Sequence, residues 1–374
     1  AKEDVLVIVT TYKYWDEISD TLCKLGWENN FTIAKRDIPF FDSYQFYLYL
    51  RGVDISTMDY KPQMLNLELS GICNCKCIYC PFHGVLNLKQ GQKKLMTWET
   101  LEKVVETVKK IGTITELSPV GAGEILVHPE WYEMLQYYLN NVPTDYISFY
   151  TNGMLLTEEN IIKISKLNAG YIELEISIDG RTPEENNYYR VGSDYEKIKR
   201  QIKQVARLKE EGKLQNNIHV VLTNCYILNE QELQEVDYKI SVKEAKTPQY
   251  LLDDFPEYEV ATKHTYVFYK DEYADKLKNT NMVEVEWPSN YNKKCANLFC
   301  LLAINFQGDI LRCSCGSACI KAIGSIFSDD VLDVWKNNSE MQTARKHFLE
   351  NDPSPDFCEG CNGRGMGKYY VMLK

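Results

Sequence analysis

Apolar and polar residues alternate along this chain in a pattern that predicts repeated strand–helix units from Met64 onward. Residues 65–69 alternate with period two, as expected for a strand with one buried face. Thr97 then opens an amphipathic helix that ends near Gly112. The same reading predicts strands at Thr113–Leu117, Tyr146–Tyr150, Tyr171–Ile178 and Ile218–Leu222, and helices from about Glu130, Thr157 and Ser193, where Ser193 and Glu196 form a capping box.

Repeated units of this length imply a parallel sheet that is either open or closed into a barrel. In such folds the functional loops lie at the carboxyl ends of the strands. We therefore expect the chemistry of residues 61–235 to come from the loops that follow each strand.

The flanking regions differ in pattern. Residues 1–60 predict a short Rossmann-like α/β unit with a strand at Val5–Val9 and a helix from Trp15 to Leu25, and no glycine-rich turn of the dinucleotide-binding kind follows the strand. Residues 236–292 are less regular, with one strand-like segment at Thr265–Tyr269, and predict a barrel tail and bridge. Residues 293–374 carry seven cysteines among short elements, which predicts a small domain stapled by metal.

The composition of the chain argues against several classes of protein. The 374 residues carry a net charge of 42 − 53 = −11, which argues against a wide nucleic-acid interface. No apolar run approaches the ~18 residues of a membrane span. The apolar run at Val5–Val9 follows acidic residues and is too short for a secretory signal, so the expected location is the cytoplasm.

Eleven of the thirteen cysteines lie in two short stretches. Disulfide frameworks belong to small secreted domains, whereas clustered cysteines in a chain without a signal favour metal or iron–sulfur ligation. In the first stretch Cys73, Cys77 and Cys80 have the spacing C-x3-C-x2-C directly after the first barrel strand. Three thiolates at this spacing can hold one [4Fe–4S] cluster and leave an iron open for another ligand. The alternative is a zinc site with Cys75 as the fourth ligand.

This pattern, with aromatic Tyr79 before the last cysteine, resembles the signature of the radical S-adenosylmethionine (radical SAM) superfamily. Further segments match it strand by strand over residues 64–235: Gly121–Glu124, Thr151–Gly153, Ser177–Gly180 and Arg190. The resemblance implies a partial (β/α)6 TIM-like barrel. Ala122 and Gly123 place the glycines slightly differently from the usual family segment.

The resemblance also implies roles for these residues. The glycine-rich segment would hold the amino group of S-adenosylmethionine, here through Gly121, Gly123 and Glu124. The ribose and carboxylate would be contacted by Ser177, Asp179 and Arg190. Simpler interpretations are a tight turn at the glycines, a helix-start acid at Glu124, a plain turn at Asp179–Gly180 and a solvated surface arginine at Arg190.

The C-terminal cysteines resemble the SPASM extension of many radical SAM enzymes. The match implies one auxiliary [4Fe–4S] cluster at the barrel mouth, ligated by Cys295, Cys313, Cys358 and Cys361. Cys300 is an alternative to Cys295, and a zinc ribbon is an alternative for the whole region. No role is assigned to Cys75, Cys315 or Cys319.

The implied activity is reductive cleavage of S-adenosylmethionine to a 5′-deoxyadenosyl radical that abstracts hydrogen from an unactivated C–H bond. We expect oxidation or epimerisation of a carbohydrate-like or other small molecule. The expected partner is a flavodoxin- or ferredoxin-type reductant, and we expect binding to neither nucleic acid nor membrane. Cys225, just beyond the Ile218–Leu222 strand, is a candidate hydrogen-atom donor or a core thiol. Alternatives are a maturase that acts on a ribosomal precursor peptide and a non-catalytic metal-binding protein.

Overall fold

The computed structural model describes residues 7–9, 21, 24, 31–33, 61–80, 82–84, 94–215, 217–235, 245–264, 282–286, 297–313, 321–349 and 368–372. Its strands are β1 (Val7–Val9), β2 (Phe31–Ile33), β3 (Met64–Leu67), β4 (Ile114–Ser118), β5 (Thr144–Thr151), β6 (Tyr171–Ser177), β7 (Ile218–Tyr226), β8 (Glu259–His264), β9 (Met282–Glu286), β10 (Leu301–Ile304), β11 (Asp309–Leu311), β12 (Ala322–Ser325) and β13 (Lys368–Met372). Its helices are α1 (Trp98–Lys109), α2 (Trp131–Asn141), α3 (Glu158–Ser165), α4 (Pro183–Tyr189), α5 (Tyr195–Glu210), α6 (Glu230–Glu235), α7 (Gln249–Asp254), α8 (Asn297–Cys300), α9 (Val331–Asn337) and α10 (Ser339–Leu349). A 3-10 turn covers Ile125–Val127.

The central sheet has nine strands in the order β12-β11-β10-β3-β4-β5-β6-β7-β8. Strands β3 to β8 are all parallel to their neighbours, and one or two helices connect each to the next. This is the partial (β/α)6 TIM-like barrel that the resemblance implied. The carboxyl ends of the six strands therefore meet at one edge, where the predicted functional loops lie.

The two faces of the barrel sheet differ in polarity, which explains the period-two pattern of the sequence. One face is apolar and packs on the helices, as where Phe149 of β5 meets Trp131 of α2 with ring centroids 5.7 Å apart. The other face lines the barrel interior and carries polar and aromatic residues such as Glu116, Ser148 and Tyr150. A sheet buried in hydrocarbon on both faces would instead read as continuous apolar runs.

Helix starts follow local capping chemistry. Thr97 and Thr157 cap α1 and α3 as predicted, each accepting a backbone N–H with its hydroxyl. The predicted cap at Ser193 is wrong, because α5 begins at Tyr195 and the Asp194 carboxylate accepts the Lys197 N–H at 3.2 Å. Ser193 is instead held in the preceding turn, where its hydroxyl accepts a hydrogen bond from Asn186. Ser and Asp both favour N-cap positions, so the turn before α5 determines that Asp194 caps the helix instead of Ser193.

The C-terminal region extends the barrel sheet. Strand β10 pairs in parallel with the outer edge of β3, and β11 and β12 follow as antiparallel neighbours. Because β11 runs against β10, Cys313 just after β11 lies at the edge where β3 and β10 begin. Cys313 thus lies at the opposite edge from the Cys73 loop, while the other three expected ligands lie outside the described residues, so the position of the auxiliary cluster at the barrel mouth stays a prediction.

The remaining described elements are two small sheets. Strands β1 and β2 pair in parallel, and Thr21 and Lys24 between them are helical, while the rest of the predicted helix at Trp15–Leu25 lies outside the described residues. Strands β9 and β13 pair antiparallel. The predicted segment Thr265–Tyr269 also lies outside the described residues, and the last barrel strand is β8 just before it. None of the described helices is both long and apolar enough to cross a membrane.

Candidate metal and cofactor site

The three cysteines of the first cluster lie in a loop that follows β3 and is fixed by backbone contacts. The Lys76 N–H donates to the Val191 carbonyl at 2.7 Å, and the Ile78 N–H donates to the Tyr189 carbonyl at 2.9 Å. A Cβ added at Gly84 would stand 2.0 Å from the Cys77 carbonyl oxygen, so only glycine allows the chain to close behind the loop. Cys73, Cys77 and Cys80 are thus held half-buried at the carboxyl edge of the barrel.

The thiols of this loop fit a cationic iron–sulfur group. Burial raises the pKa of Cys73 and of Cys77 to about 12, so each is protonated at neutral pH unless a positive group compensates for the lost solvent. Iron in a cluster supplies that charge, because thiolates are its ligands. Among the described residues no three His, Cys, Asp or Glu side chains are grouped for a single metal ion. A cubane does not need such a group, since each cysteine binds a different iron.

The segment from Gly121 to Glu124 packs directly against the cysteine loop. A Cβ on Gly123 would stand 2.1 Å from the carbonyl oxygen of Ser70, which is backbone and cannot move away cheaply. Gly121 lies against the side chain of Glu68, whose carboxylate accepts the Ala122 N–H at 2.5 Å. Gly123 is therefore needed for close approach of two backbones, and Gly121 leaves room for the side chain of Glu68, a buried acid that was not predicted from the sequence.

Glu124 is buried and its carboxylate is fully engaged within the protein. Its Oε1 accepts the Thr151 hydroxyl at 2.9 Å and the Leu126 N–H at 3.4 Å, and its Oε2 accepts the Asn152 N–H at 2.8 Å. Burial raises its pKa, against the opposing effect of these donors. Glu124 therefore caps the 3-10 turn and joins the end of β4 to the end of β5, and its predicted contact with an amino group stays a prediction.

Asp179, Arg190 and Tyr79 form a buried hub after β6. Arg190 Nη1 lies 2.6 Å from Asp179 Oδ2, which also accepts the hydroxyl of Tyr79. Burial and the nearby charge of Asp179 raise the pKa of Tyr79, so the phenol stays a donor. Arg190 Nε is buried and has no hydrogen-bond partner among the described residues. It is the atom of the hub that suits a further anionic group, such as the carboxylate of S-adenosylmethionine.

Cys225 lies at the same hub, at the carboxyl end of β7. Its backbone N–H donates to Asp179 Oδ1 at 3.0 Å, and its carbonyl accepts the Gly180 N–H at 2.7 Å. By register its side chain shares the interior face with Ser177 and Thr223, and the Thr223 hydroxyl donates to that of Ser177 at 3.4 Å. Cys225 is half-buried. The hub thus connects the cysteine loop, through Tyr79, to the strand that carries Cys225.

Below this edge, the barrel interior is lined by acids and tyrosines. Tyr146 and Ser118 both donate hydroxyl hydrogen bonds to Glu116, at 3.0 and 2.7 Å. Tyr150 pairs in register with Glu175 on β6, and burial with the charge of Glu175 raises the pKa of this tyrosine. The described interior positions of β3 to β7 carry no lysine or arginine. On these five strands the interior face is therefore polar and acidic, while on β8 Lys263 pairs in register with Cys225 on the same face.

Of the predicted auxiliary ligands, only Cys313 falls among the described residues, where it is half-buried. Cys295, Cys358 and Cys361 lie outside them, as do Cys315 and Cys319. Cys300 is described: it is buried in the apolar core, with its thiol 3.5 Å from the Met64 sulfur. That packing favours Cys295 over Cys300 as a ligand, and the ligand set stays a prediction.

Asn224 and Tyr250 support the site and had no clear signal in the sequence, whereas Asn152 lies in the Thr151–Gly153 segment that the resemblance had selected. Asn152 reaches the cysteine loop, and Asn224 donates to the carbonyls of Ile178 and Gly180 at 2.8 and 2.9 Å. The Tyr250 hydroxyl reaches the Gly180 carbonyl from α7. A buried amide near the carboxyl end of an apolar strand is the one cue that could have selected Asn224.

Comparison with known proteins supports the resemblance of the barrel to the radical SAM superfamily. Residues 67–239 match the family described as the Radical SAM superfamily. The chain is 28% identical over 132 residues to the AdoMet-dependent heme synthase of Methanosarcina barkeri, which covers 34% of this chain and 34% of that protein. It is 26% identical over 305 residues to the cysteine-type anaerobic sulfatase-maturating enzyme of Clostridium perfringens, which covers 76% of this chain and 79% of that enzyme. The match to the first of these relatives thus spans about a third of its length.

A solved structure shares the fold. Native anSMEcpe with bound AdoMet and Cp18Cys peptide superposes with a TM-score of 0.51 over 82% of this chain and 89% of that chain, at 15% sequence identity. In this chain the cysteine loop, the Gly121–Glu124 segment and Arg190 all lie at the carboxyl edge of that fold. Residues 67–239 of this chain thus match the radical SAM superfamily, and the comparisons support a [4Fe–4S] cluster and S-adenosylmethionine as its cofactors.

Proposed function

We propose that this chain is an enzyme that uses a 5′-deoxyadenosyl radical to abstract hydrogen from an unactivated C–H bond of its substrate. When bound, the cluster and S-adenosylmethionine supply the reductive cleavage that generates this radical, with the electron coming from a flavodoxin- or ferredoxin-type reductant. The observation that carries the proposal is the carboxyl edge of the barrel. There the cysteine loop is hydrogen-bonded to the backbone of Tyr189 and Val191, beside the Asp179–Arg190 pair, and the Gly121–Glu124 segment packs against the start of the loop.

The residues of the chain have distinct tasks in this proposal. Cys73, Cys77 and Cys80 hold the cluster, and the hub of Asp179 and Arg190 fixes the far side of the cofactor site. The low exposure of this hub excludes water, which would otherwise weaken each polar contact. Strands β4 to β7 orient the substrate below it through their interior side chains. The protein thus supplies binding, orientation and electrostatics, while the cofactor supplies the radical chemistry.

A small, hydroxyl-rich molecule is the first candidate substrate. Glu116 and Glu175 are acceptors for substrate hydroxyl groups, and Tyr146 and Tyr150 add aromatic surface and further donors. The parallel β1/β2 pair also favours this class, because a winged-helix leader-binding module would not be built around a parallel strand pair. We infer oxidation or epimerisation of such a substrate.

A peptide is the second candidate substrate. The relative that aligns with three quarters of this chain is a sulfatase-maturating enzyme, and the superposed structure of anSMEcpe contains a peptide. On this alternative the barrel interior receives a single side chain of the peptide.

The role of Cys225 determines whether we expect epimerisation or oxidation of the substrate. If its thiol faces the substrate radical, its S–H bond breaks and a new C–H bond forms, leaving a thiyl radical on the protein. One electron from the reductant and one proton from solvent then restore the thiol, and the net reaction is epimerisation. Without this donor, the auxiliary cluster that Cys295, Cys313, Cys358 and Cys361 would hold would supply an acceptor for one electron of the substrate radical. The proton would go to solvent, and the net reaction would be oxidation.

The test is substrate-stimulated formation of 5′-deoxyadenosine by the reconstituted enzyme. Pools of hydroxylated small molecules and pools of short peptides are compared, each in deuterated water. Stimulation by one pool identifies the substrate class, and failure of both pools to stimulate turnover above the basal rate contradicts the proposal. For Cys225→Ala, loss of deuterium at the epimerised carbon with cofactor cleavage intact supports the donor role, and unchanged deuterated product excludes it.

A further inference from the structure

Asn152 is a buried amide between the end of β5 and the cysteine loop. It is 5% exposed and follows directly after Thr151, the last residue of the strand. Its backbone N–H donates to Glu124 Oε2 at 2.8 Å, which ties the residue to the Gly121–Glu124 segment. The position of its backbone is therefore set by two neighbouring strands and not by a free loop.

The orientation of its side chain is fixed as well. The Asn152 Oδ1 atom accepts the Met154 N–H at 3.0 Å, which closes a local turn of the kind that Asn favours. Since the oxygen is needed on that side, the Nδ2 donors must point the other way, toward the cysteine loop. An amide flip would place two donors against the Met154 N–H and leave it without an acceptor.

On the loop side, Nδ2 meets two groups. It donates to Asn74 Oδ1 at 2.7 Å and lies 3.9 Å from Cys73 Sγ, within the range of a hydrogen bond to sulfur. Two backbone groups also donate to sulfurs of the loop, Cys75 N–H to Cys73 at 3.4 Å and His83 N–H to Cys80 at 3.5 Å. Among the described residues, Asn152 is the one whose side chain donates to a sulfur of the loop. A substitution can remove this donor, whereas it cannot remove a backbone N–H.

We propose that Asn152 is a positioning residue that clamps the loop through Asn74 and sets the reduction potential of the cluster held by Cys73, Cys77 and Cys80. An N–H donor near a cluster sulfur stabilises the more negative, reduced state and so raises the potential. The clamp on Asn74 keeps Cys73 in the geometry required for iron. This inference rests on the cluster and is independent of substrate.

The experiment is a redox titration of the reconstituted full-length protein, followed by electron paramagnetic resonance without substrate and without S-adenosylmethionine. Asn152→Ser removes the donor, and Asn152→Asp replaces it with a carboxylate that faces the thiolate and Asn74. The matched control is Asn168→Asp. Asn168 also donates its amide to an asparagine, Asn140 Oδ1 at 3.0 Å, but this pair is exposed and lies before the amino end of β6. A further variant, Asn74→Ala, removes the clamp and keeps the donor to sulfur.

At a fixed applied potential we expect the ratio of reduced to oxidised cluster to fall about threefold in Asn152→Ser, which is at the lower end of the net contribution of one hydrogen bond. It should fall about tenfold or more in Asn152→Asp, which is ~59 mV for a one-electron couple. Asn168→Asp should match wild type. Asn74→Ala should lose iron faster on dilution, with a smaller shift in potential than Asn152→Ser.

Wild-type potential and iron retention in both Asn152 variants would overturn the inference, as would an equal shift in Asn168→Asp. If Asn152→Asp fails to retain the cluster, the Asn152→Ser titration decides alone. Failure of the proposed function is distinguishable. It appears as absent 5′-deoxyadenosine from a protein that carries its cluster, whereas this inference is decided on the cluster before any cofactor is added.

Discussion

The buried pair of Asp179 and Arg190 gives the sharpest prediction about stability. Their side chains are 3% and 10% exposed, and Arg190 Nη1 lies 2.6 Å from Asp179 Oδ2. The substitution Asp179→Asn keeps the shape of the side chain and removes its charge. It leaves the guanidinium of Arg190 buried without a counter-charge, and it weakens the contact with the Tyr79 hydroxyl.

The expected loss in the free energy of unfolding of Asp179→Asn follows from the burial of the ion pair. Removing one partner of a buried ion pair costs about 3–5 kcal/mol, because the remaining charge has lost its solvent and its partner together. The matched control is Glu158→Gln. Its carboxylate lies 2.8 Å from Arg207, but these side chains are 42% and 50% exposed. Solvent screens such a pair, so this variant should lose about 0–1 kcal/mol.

The assay is urea unfolding of both variants, followed by tryptophan fluorescence under the same reconstitution conditions. The double variant Asp179→Asn with Arg190→Met removes both charges, and we expect it to regain part of the stability lost in Asp179→Asn. Equal losses of stability in Asp179→Asn and Glu158→Gln would contradict this prediction, because they would show that the buried hub is as well solvated as a surface pair.

Three further predictions follow from the site. Gly123→Ala should displace the cysteine loop and lower the iron content after reconstitution, because its Cβ would stand 2.1 Å from the Ser70 carbonyl oxygen, whereas Gly170→Ala, with its nearest atom at 3.4 Å, should match wild type. Burial raises the pKa of Glu124 above its usual value of 4.5, so the native state binds this proton more tightly than the unfolded chain. The stability that this group contributes is thus present below the unfolded pKa and is lost as the pH rises through the native one. The free energy of unfolding of wild type relative to Glu124→Gln should therefore fall as the pH rises above 4.5, and a constant difference would contradict this. Finally, Cys295→Ala should lose about four irons of the auxiliary cluster while Cys300→Ala keeps them; iron analysis that gives the reverse result would assign Cys300 as the ligand.

The parallel barrel and the cysteine loop could be predicted from the sequence because their signals are local. Period-two strands such as residues 65–69 have one face on helices and one face on a polar interior. Their residues therefore alternate between apolar and polar types, which can be seen in the sequence. Thr97 and Thr157 cap their helices through their own hydroxyls, so tertiary structure does not have to intervene. Cys73, Cys77 and Cys80 are close in sequence and need only one loop to be brought together.

Features set by contacts between distant segments could not be predicted in the same way. The start of α5 at Tyr195 depends on a turn in which Ser193 bonds to Asn186. The pairing of β10 with β3 joins residues more than 200 positions apart, and neither strand encodes its partner. Glu124 and Asp179 were selected by resemblance as cofactor contacts. Their carboxylates are engaged by Thr151, Asn152, Arg190 and Tyr79, which only the assembled strands reveal.

The most direct test of the central claim is the yield of 5′-deoxyadenosine after anaerobic reconstitution, reduction and addition of S-adenosylmethionine. Wild type is compared with the triple variant in which Cys73, Cys77 and Cys80 are replaced by alanine. We expect 5′-deoxyadenosine from wild type and none from the triple variant, which should keep the irons of its auxiliary cluster. Zinc in place of iron, or equal yields from the two proteins, would contradict it.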